Sequence, residues 1–342
     1  TQPGSVPKPP AVAGTEFQVP YVPRSDAPPF GTLIPKNIAG GVHAALDNLA
    51  ARVGPIDEFV ADRLNMEVDE LRSVMAAEQI DGVALAIDQI ESGGEALIIG
   101  DETGIGKGRQ GAALIRYAIL NGKVPMFFTK DPKLFTDMYG DLLDIHTEVK
   151  PLIFGDPGKA SIVDAQGKVV HRAPGLGVQA RAMQEVAERG LAAAGYNAIF
   201  VTYSQINMRN ARQEFLERLA EANPTIVILD EAHEAAGDAT NSMQAAFISG
   251  GQVQRGSGAN RTTIAVPGLL RRAGTLHGQG GVLYMSATFA KRPENMPVYF
   301  RTALGRSAQS FAQVVDAMKR GGVALQQAVS EALAKAGQYI RR

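Results

Sequence analysis

The sequence predicts an α/β protein with a parallel sheet and helices on both faces, preceded by a helical segment and a proline-rich extended arm. The first observation is that short apolar runs alternate with longer helical patterns, which is typical of a parallel sheet. The second is a glycine-rich loop between an apolar run and a helical pattern, IIGDETGIGKGR at 98–109. The third is an apolar run that ends in two acidic residues, TIVILDEAH at 225–233.

Length, net charge and cysteine content exclude several classes of function for this chain. A chain of 342 residues can hold two domains, or one large α/β domain with additions. The net charge is -1, so no overall basic field indicates a nucleic-acid partner, and any such partner must be held locally. The absence of cysteine excludes disulfides, cysteine-ligated zinc and thiol catalysis, and it fits a cytoplasmic location. No apolar stretch has the length of a membrane span, so we expect no membrane partner.

The N-terminal third is read as an arm followed by helices. Residues 1–40 contain nearly half of the 19 prolines, which favours an extended conformation. This arm is either a disordered linker or a segment that packs on the body through Phe17, Tyr21 and Phe30. Residues 41–92 carry apolar side chains at spacings of three and four, which predicts helices.

The remaining chain is divided into a lobe at 93–302 and a helical tail at 303–342. Each apolar run in the lobe is continuous, as expected for strands that are covered on both faces. Two segments interrupt the alternation: 161–170 is predicted to be a hairpin around Gln166 and Gly167, and 250–263 a glycine-rich loop. The predicted strands are 95–100, 124–129, 151–154, 197–203, 225–230 and 281–287.

The loop at 98–109 has the strand, loop, helix context of a phosphate-binding P-loop. Gly104 and Gly106, on either side of Ile105, would let backbone N–H groups converge on phosphates at the helix N-terminus. Lys107 would reach the β- and γ-phosphate oxygens. In the usual P-loop, G-x-x-x-x-G-K-[ST], the last hydroxyl holds Mg²⁺, but here Gly108 takes that position. The alternative is a glycine-rich turn that happens to contain a lysine.

Without that hydroxyl, Mg²⁺ must be held by the nucleotide, by water and by an acid elsewhere in the chain. Asp230, at the end of an apolar strand, is predicted to bind the metal through water, and Glu231 to orient or deprotonate the attacking water. Alone, either residue could equally be a helix-capping acid. Together with Lys107 they predict a catalytic site whose cofactors are ATP and Mg²⁺.

These motifs resemble those of superfamily 2 helicases and translocases. DEAH at 230–233 and SAT at 286–288 occur in the order and spacing of that superfamily, and DETGIGKG is similar to the loop of Swi/Snf-type remodellers. The chain is more similar still to the strawberry notch-like helicase family, whose P-loop resembles G-D-x-T-G-x-G-K-G-R. Thr103, Gly108 and Arg109 agree with that pattern, as do FVTYSQI at 200–206 and SATFAKRPENM at 286–296. The resemblance covers roughly 20–342 and implies a RecA-like first motor lobe.

The resemblance implies further roles. Gln79 would read the adenine edge, whereas a lone helical glutamine is more often solvated. His233 would link the DEAH turn to the coupling motif of Ser286, Ala287 and Thr288, the alternative being a local hydrogen bond at a helix start. A last group lies at strand ends where such motors contact nucleic-acid phosphates: Thr129, Lys130, Thr202, Ser204 and Gln205.

The function expected from this resemblance is an ATP-dependent helicase or translocase acting on nucleic acid, with the DNA backbone as the favoured partner. Only 289–342 follow the SAT motif, so the second RecA-like lobe is expected to lie further along a longer protein, and slow turnover is expected without it. Kinship implies a bacterial, phage or plasmid setting with methyltransferase segments and a role in antirestriction or DNA modification. Two rivals stay open: a non-catalytic ATP-binding scaffold and a P-loop kinase of small molecules.

Overall fold

The computed structural model describes residues 13–93, 96–102, 104–236, 243–255, 261–272, 280–287, 289, 293–307 and 311–342. The strands are β1 (Gln18–Pro20), β2 (Leu33–Pro35), β3 (Ala96–Ile99), β4 (Val124–Thr129), β5 (Pro151–Phe154), β6 (Ser161–Val163), β7 (Val169–Arg172), β8 (Ala198–Thr202), β9 (Thr225–Asp230), β10 (Gly251–Arg255), β11 (Thr262–Val266), β12 (Gly281–Met285) and β13 (Tyr339–Ile340). The helices are α1 (Lys36–Val53), α2 (Ile56–Leu64), α3 (Val68–Val74), α4 (Ala77–Glu91), α5 (Lys107–Leu120), α6 (Leu134–Asp144), α7 (Leu176–Arg189), α8 (Ala211–Ala222), α9 (Met243–Ser249), α10 (Leu269–Arg272), α11 (Ala303–Ser307) and α12 (Phe311–Lys335).

A seven-stranded sheet with the order β13-β3-β12-β9-β4-β8-β5 forms the centre of the fold, and all its pairings are parallel. Six of its strands are the six predicted apolar runs, so the predicted RecA-like parallel α/β sheet is confirmed. Every residue of β3, β4, β5 and β8 is buried. Continuous burial requires cover on both faces, because successive side chains of a strand point to opposite sides.

The predicted helical segment is also confirmed, since α1 to α4 fill it. α4 is buried along almost its whole length and packs against α5 and β3. α1 packs against α12, and Gly41 makes that approach possible, because a Cβ there would lie 2.9 Å from the Lys335 amide nitrogen. Within the described part of the chain, no helix is long and apolar enough to cross a bilayer.

The proline-rich arm packs on the body from residue 13 onward. β1 and β2 pair as an antiparallel hairpin. Of the three aromatic residues predicted to attach it, only Tyr21 is buried, whereas Phe17 and Phe30 are 74% and 52% exposed. Hydrogen bonds attach the arm in place of these two aromatic contacts. The extended chain leaves backbone N–H groups unpaired, and these N–H groups donate to carboxylates of α4. The segment 1–12 lies outside the described residues.

Two consecutive turns of the arm are held by buried acids of α4. Asp81 accepts hydrogen bonds from the Tyr21 hydroxyl at 2.6 Å and from the Ser25 amide at 2.9 Å. Glu78 accepts from the amides of Phe30 and Gly31 at 2.9 and 3.0 Å. Burial raises the pKa of Asp81 to about 6, although the Tyr21 hydroxyl acts in the opposite direction by bonding the carboxylate.

Of the two segments that interrupt the alternation of strands and helices, one was predicted correctly and the other was not. The hairpin predicted at 161–170 is confirmed by β6 and β7, whose turn contains Gly167 with a φ of 79°. The glycine-rich loop predicted at 250–263 is wrong at both ends, because β10 and β11 pair there in an antiparallel hairpin. The glycines had favoured a loop, but the alternating QVQR and TTIAV flanks supply the strand residues. Residues 256–260 lie outside the described part.

The prediction that residues 303–342 form only helices is wrong. α11 and α12 follow residue 303, but the chain then returns to the sheet as β13, beside the P-loop strand β3. The Ile98 amide donates to the Gln338 carbonyl at 2.9 Å, and the Gly100 amide donates to the Ile340 carbonyl at 2.7 Å. A run of two strand residues gives almost no periodic signal, so the sequence pattern could not reveal it.

Beyond β13, Arg342 forms a fully buried ion pair with Asp101, the second residue after β3. Its guanidinium donates to Oδ1 at 3.1 Å and to Oδ2 at 2.6 Å, and both side chains are 0% exposed. The Tyr21 ring lies under the guanidinium at 5.2 Å. Arm, C-terminal strand and P-loop base therefore meet in one buried polar cluster.

We expect Arg342→Met to destabilise the fold by about 3–5 kcal/mol, because it leaves Asp101 as an uncompensated buried charge. The control is Arg341→Met, since Arg341 is 41% exposed and pairs with Glu102 at 3.4 Å; exposed pairs of this kind contribute about 0–1 kcal/mol. Urea unfolding followed by circular dichroism measures both. Equal losses in the two variants would contradict a special role for the buried pair.

Candidate nucleotide site

The P-loop runs from the end of β3 into the first turn of α5. Gly104 and Gly106 have φ angles of 105° and 75°, which side chains with a Cβ rarely adopt. Gly106 is the residue directly before the helix, so the N-terminus of α5, where N–H groups have no partner within the helix, adjoins the loop. Ile105 is buried beside it. Thr103 lies outside the described residues.

Lys107 folds over this loop. Its Nζ donates to the Asp101 carbonyl at 2.7 Å. Burial raises the pKa of Asp230, and the positive charge of Lys107 is among the smaller effects that lower it. The lysine and the acid are therefore near enough to interact electrostatically, although more than a hundred residues separate them in sequence.

Asp230 ends β9 with its carboxylate held by a neighbouring strand. Thr129, the last residue of β4, donates to Oδ2 at 3.0 Å, and the Tyr203 hydroxyl donates to the Asp230 carbonyl at 2.8 Å. Glu231 follows with a φ of 46°, a left-handed conformation that is unusual for a residue with a side chain. Such backbone strain concentrates at functional sites. It turns the chain sharply at the sheet edge and leaves the Glu231 side chain 42% exposed.

The residues present fit a magnesium ion that is bound mainly by phosphates and water. Among the described residues, no group of three histidine or acidic side chains could enclose a metal ion. Mg²⁺ keeps several waters and is usually held by one or two carboxylates together with substrate phosphates. Asp230 is such a carboxylate, and it lies beside the loop that would carry the phosphates.

The DEAH turn and the SAT motif are in direct contact. His233 Nδ1 lies 2.9 Å from Ser286 Oγ and 3.3 Å from Glu231 Oε2. The Ser286 amide donates to the Ile99 carbonyl at 3.0 Å, so the same serine also touches the P-loop strand. Ala287 follows it at the end of this stretch, and Thr288 lies outside the described residues.

Gln79 contacts the P-loop and also lines a cavity beside it. Its Nε2 donates to the Ile105 carbonyl at 3.0 Å, and its Oε1 accepts from the Ala76 amide at 3.0 Å. The side chain is buried, and a Cβ at Gly106 would collide with it. Both ends of the amide are hydrogen-bonded in this conformation, and the reading of an adenine edge by Gln79 stays a prediction.

Arg109 projects from α5 on the outer side. It donates to the Val74 carbonyl at 2.7 Å and to Asp141 Oδ1 at 3.0 Å, and it also pairs with Asp144. A cavity of about 420 Å³ lies between Arg109, Gly106, Gln79 and the arm at Phe30. It opens beside the P-loop, where the rest of a nucleotide would extend. The arm therefore forms part of the wall of the candidate site.

The residues predicted to contact nucleic-acid phosphates fall into two groups. Thr129 and Thr202 are buried, with their hydroxyls bonded to Asp230 and to Ser204, so direct contact with a phosphate does not fit this arrangement. Strand-end position suggested access to a phosphate, but both residues are buried and both hydroxyls are used in hydrogen bonds. Lys130 is 65% exposed and pairs with Glu234, and Ser204 is exposed. Gln205 is half-buried and accepts from Arg212.

The sequence matches the family described as "P-loop containing NTP hydrolase pore-1" over residues 48–342, which includes the P-loop, the DEAH turn and the SAT motif but not the arm. The chain belongs to this family of P-loop NTP hydrolases. The match confirms the predicted P-loop NTP hydrolase at the level of the family, while the role of Lys107 stays a prediction.

Curated relatives of this P-loop NTP hydrolase include mouse and human strawberry notch homolog 2. They are 24% and 25% identical to it over 287 and 285 residues, which cover 79% and 78% of this chain. The chain spans 17% of the length of each relative. The predicted kinship with strawberry notch proteins is confirmed. A solved Sulfolobus solfataricus SWI2/SNF2 ATPase core domain aligns over 78% of this chain and 42% of its own, with 12% identity and a TM-score of 0.47.

Three parts of the site were not predicted. Asp101 lies within GDETG, at the start of the glycine-rich loop. Its position in this motif could have identified it as a site residue. Arg342 and Asp141 carry no such signal, because each reaches the loop from an element that is distant in sequence.

We expect Gln79→Leu to weaken ATP and GTP binding by similar factors, because Gln79 supports the loop that binds the phosphates common to both nucleotides. The control is Gln89→Leu on the same helix, since Gln89 is equally buried and bonds the Ala336 carbonyl at 3.0 Å, away from the loop. Fluorescence titration with labelled nucleotides measures both affinities. Selective loss of ATP affinity would instead assign Gln79 to reading the base.

We expect Thr129→Val to raise the pKa of Asp230 further, because the variant removes a hydrogen bond that favours the ionised carboxylate. The ionised form would then be lost at a higher pH as the solution is acidified. Carboxyl carbon NMR of the Asp230 side chain measures the titration. Thr202→Val is the matched control, since this buried threonine ends the next strand and bonds Ser204 instead; a shift in both variants would contradict the local cause.

Proposed function

We propose that this P-loop NTP hydrolase is the ATP-hydrolysing first lobe of a nucleic-acid helicase or translocase of superfamily 2. One observation carries the proposal. The DEAH turn contains Asp230, the proposed metal-site acid, and it also contacts the SAT motif through the hydrogen bond between His233 and Ser286. A nucleotide site alone requires no such contact. A motor requires a physical link between hydrolysis and movement.

The proposed roles follow from the chemistry of the groups. Lys107 neutralises charge on the transferred phosphoryl group, because its ammonium is a compact cation at the loop. Asp230 would hold the hydrated magnesium ion, which would supply charge neutralisation when it is bound with the nucleotide. Glu231 orients the attacking water, since it is the exposed acid next to that site. His233 and Ser286 couple the site to the rest of the lobe.

Nucleic acid is proposed to run along the carboxyl edge of the sheet, with DNA as the partner. Lys130 and Ser204 are exposed just beyond the ends of adjacent strands, where they present an ammonium group, paired with Glu234, and a hydroxyl to a phosphate backbone. The chain contains no tryptophan and only 6% aromatic residues, so few side chains are available to stack on bases. We therefore propose that the protein contacts the phosphate backbone and does not read the base sequence.

The wider setting is proposed from kinship. A second RecA-like lobe of the same longer chain would complete the ATP site, and hydrolysis by this lobe alone would be slow. Charges supplied from a partner are worth on the order of 10³ to 10⁵ in rate in related phosphoryl transfers. A cytoplasmic bacterial or phage protein with methyltransferase segments, active in antirestriction or DNA modification, fits this reading.

Glu231→Gln tests the proposal. We expect it to lower single-turnover ATP hydrolysis by about 10² to 10⁴ while ATP binding is kept, because only the positioning and deprotonation of water is lost. Glu214→Gln on α8 is the control, since its carboxylate is comparably exposed at 46% and lies outside the proposed site. Phosphate release is measured with and without duplex DNA, single-stranded DNA and RNA.

The alternatives give different results. A scaffold would keep its cellular activity in the Glu231→Gln variant, whereas a motor would lose it. A small-molecule kinase would transfer phosphate at a rate that no nucleic acid changes. Stimulation of the longer protein by RNA but not by DNA would reassign the partner. Unchanged hydrolysis in Glu231→Gln would contradict the catalytic assignment itself.

A further inference from the structure

The glycine that replaces the P-loop hydroxyl lies against a carboxylate from another helix. Gly108 is in the first turn of α5, and Asp141 of α6 faces it. A Cβ at position 108 would collide with Asp141 Oδ2. Serine or threonine therefore does not fit at 108 while Asp141 keeps this position. The unusual glycine is explained by the acid beside it.

Asp141 is held in this position by one of its two oxygens only. Oδ1 accepts from Arg109 Nε at 3.0 Å, and Arg109 is itself anchored by the Val74 carbonyl at 2.7 Å. Among the described residues, Oδ2 has no hydrogen-bond partner. The side chain is 25% exposed and lines the cavity of about 420 Å³ that also reaches Gly106.

Oδ2 of Asp141 is not enclosed: the side chain is 25% exposed, so water or a ligand in the adjoining cavity can reach this oxygen. The groups that face it from its own helix, Asp144 and Asp137, are acidic and provide no compensation. Oδ2 is therefore available to a donor or a cation that enters the cavity.

The direction of the missing side chain indicates which ligand this is. In a helix, each Cα–Cβ bond tilts toward the N-terminus. A hydroxyl at 108 would thus point toward the phosphates and metal gathered at the start of α5. Asp141 Oδ2 occupies the space next to that Cβ, so it brings an oxygen close to where the hydroxyl oxygen would lie.

We infer that Asp141 takes over the task of the absent P-loop hydroxyl and holds the hydrated Mg²⁺ of the bound nucleotide through its water shell. Mg²⁺ retains several waters and favours carboxylate oxygens, so a second acid in addition to Asp230 suits it. This inference deepens the proposed function and rests on it. Asp141 is then a metal-site residue contributed by α6 rather than by the P-loop itself.

The test compares nucleotide affinity with and without the metal, using the full chain and a fluorescent ATP analogue that is not hydrolysed. In Asp141→Asn and Asp141→Ala, we expect the gain in affinity caused by Mg²⁺ to fall about 10- to 100-fold, as for other groups that support a bound metal. Affinity in EDTA should stay close to the unmodified value. Asp144→Ala is the matched control, because Asp144 also pairs with Arg109 but does not face position 108.

A rescue variant separates a metal role from a packing role. In Asp141→Ala combined with Gly108→Ser, the space at 108 is free and a hydroxyl returns to the loop. We expect this double variant to regain most of the metal-dependent affinity, whereas Gly108→Ser alone should impair binding through the collision. Electron paramagnetic resonance of Mn²⁺ in the nucleotide complex reports the metal environment independently of turnover.

The outcomes distinguish this inference from the proposed function. Equal losses with and without Mg²⁺, or the same losses in Asp144→Ala, would show that Asp141 acts only through Arg109 and would overturn the inference while ATP binding stands. A double variant no better than Asp141→Ala would also overturn it. If the unmodified chain bound no ATP in either condition, the proposed function would fail and the inference would fail with it.

Discussion

Parallel pairing of β3, β12 and β9 at one level is the constraint on which the nucleotide site depends. Met285, the last residue of β12, lies beside Ile99 on one side and beside Asp230 on the other. The three strands therefore end together, and the P-loop, the SAT motif and the DEAH turn leave the sheet side by side. A slip of one residue in either pairing would turn the Asp230 side chain to the opposite face. Strand register thus makes catalytic neighbours of residues that are remote in sequence.

The second constraint is electrostatic and lies beneath the loop. Three residues in the N-terminal half of α4 serve different partners: Glu78 and Asp81 hold the arm, and Gln79 holds the P-loop. Arg342 completes the cluster by donating to Asp101 and to the Glu78 carbonyl. In a low-dielectric interior each of these groups is costly if left unpaired, so the arm, α4, the loop and β13 are held as a unit. The proline-rich arm is thereby part of the architecture of the site.

The local chemistry of the site was predictable where one short stretch contained both the residue and its structural context. The glycines around Ile105, the lysine after them and the apolar strand before them indicated a P-loop, and the acids at the end of TIVILD were placed at the correct sheet edge. Thr129 and Thr202 show the limit of such reasoning. Both end strands as predicted, but their hydroxyls turn inward, because the strand-end position does not determine which neighbour covers a side chain.

The sequence by itself determined the six long strands, the helices between them and the order of the motifs, because these depend on periodicity and on residues adjacent in the chain. Tertiary structure alone decided that β13 closes the sheet edge, that Arg342 pairs with Asp101 and that Asp141 faces Gly108. Each of these contacts joins elements whose separation in the chain leaves no periodic trace. Close packing brings them together, and the cost of burying an unpaired charge then selects which side chains must meet.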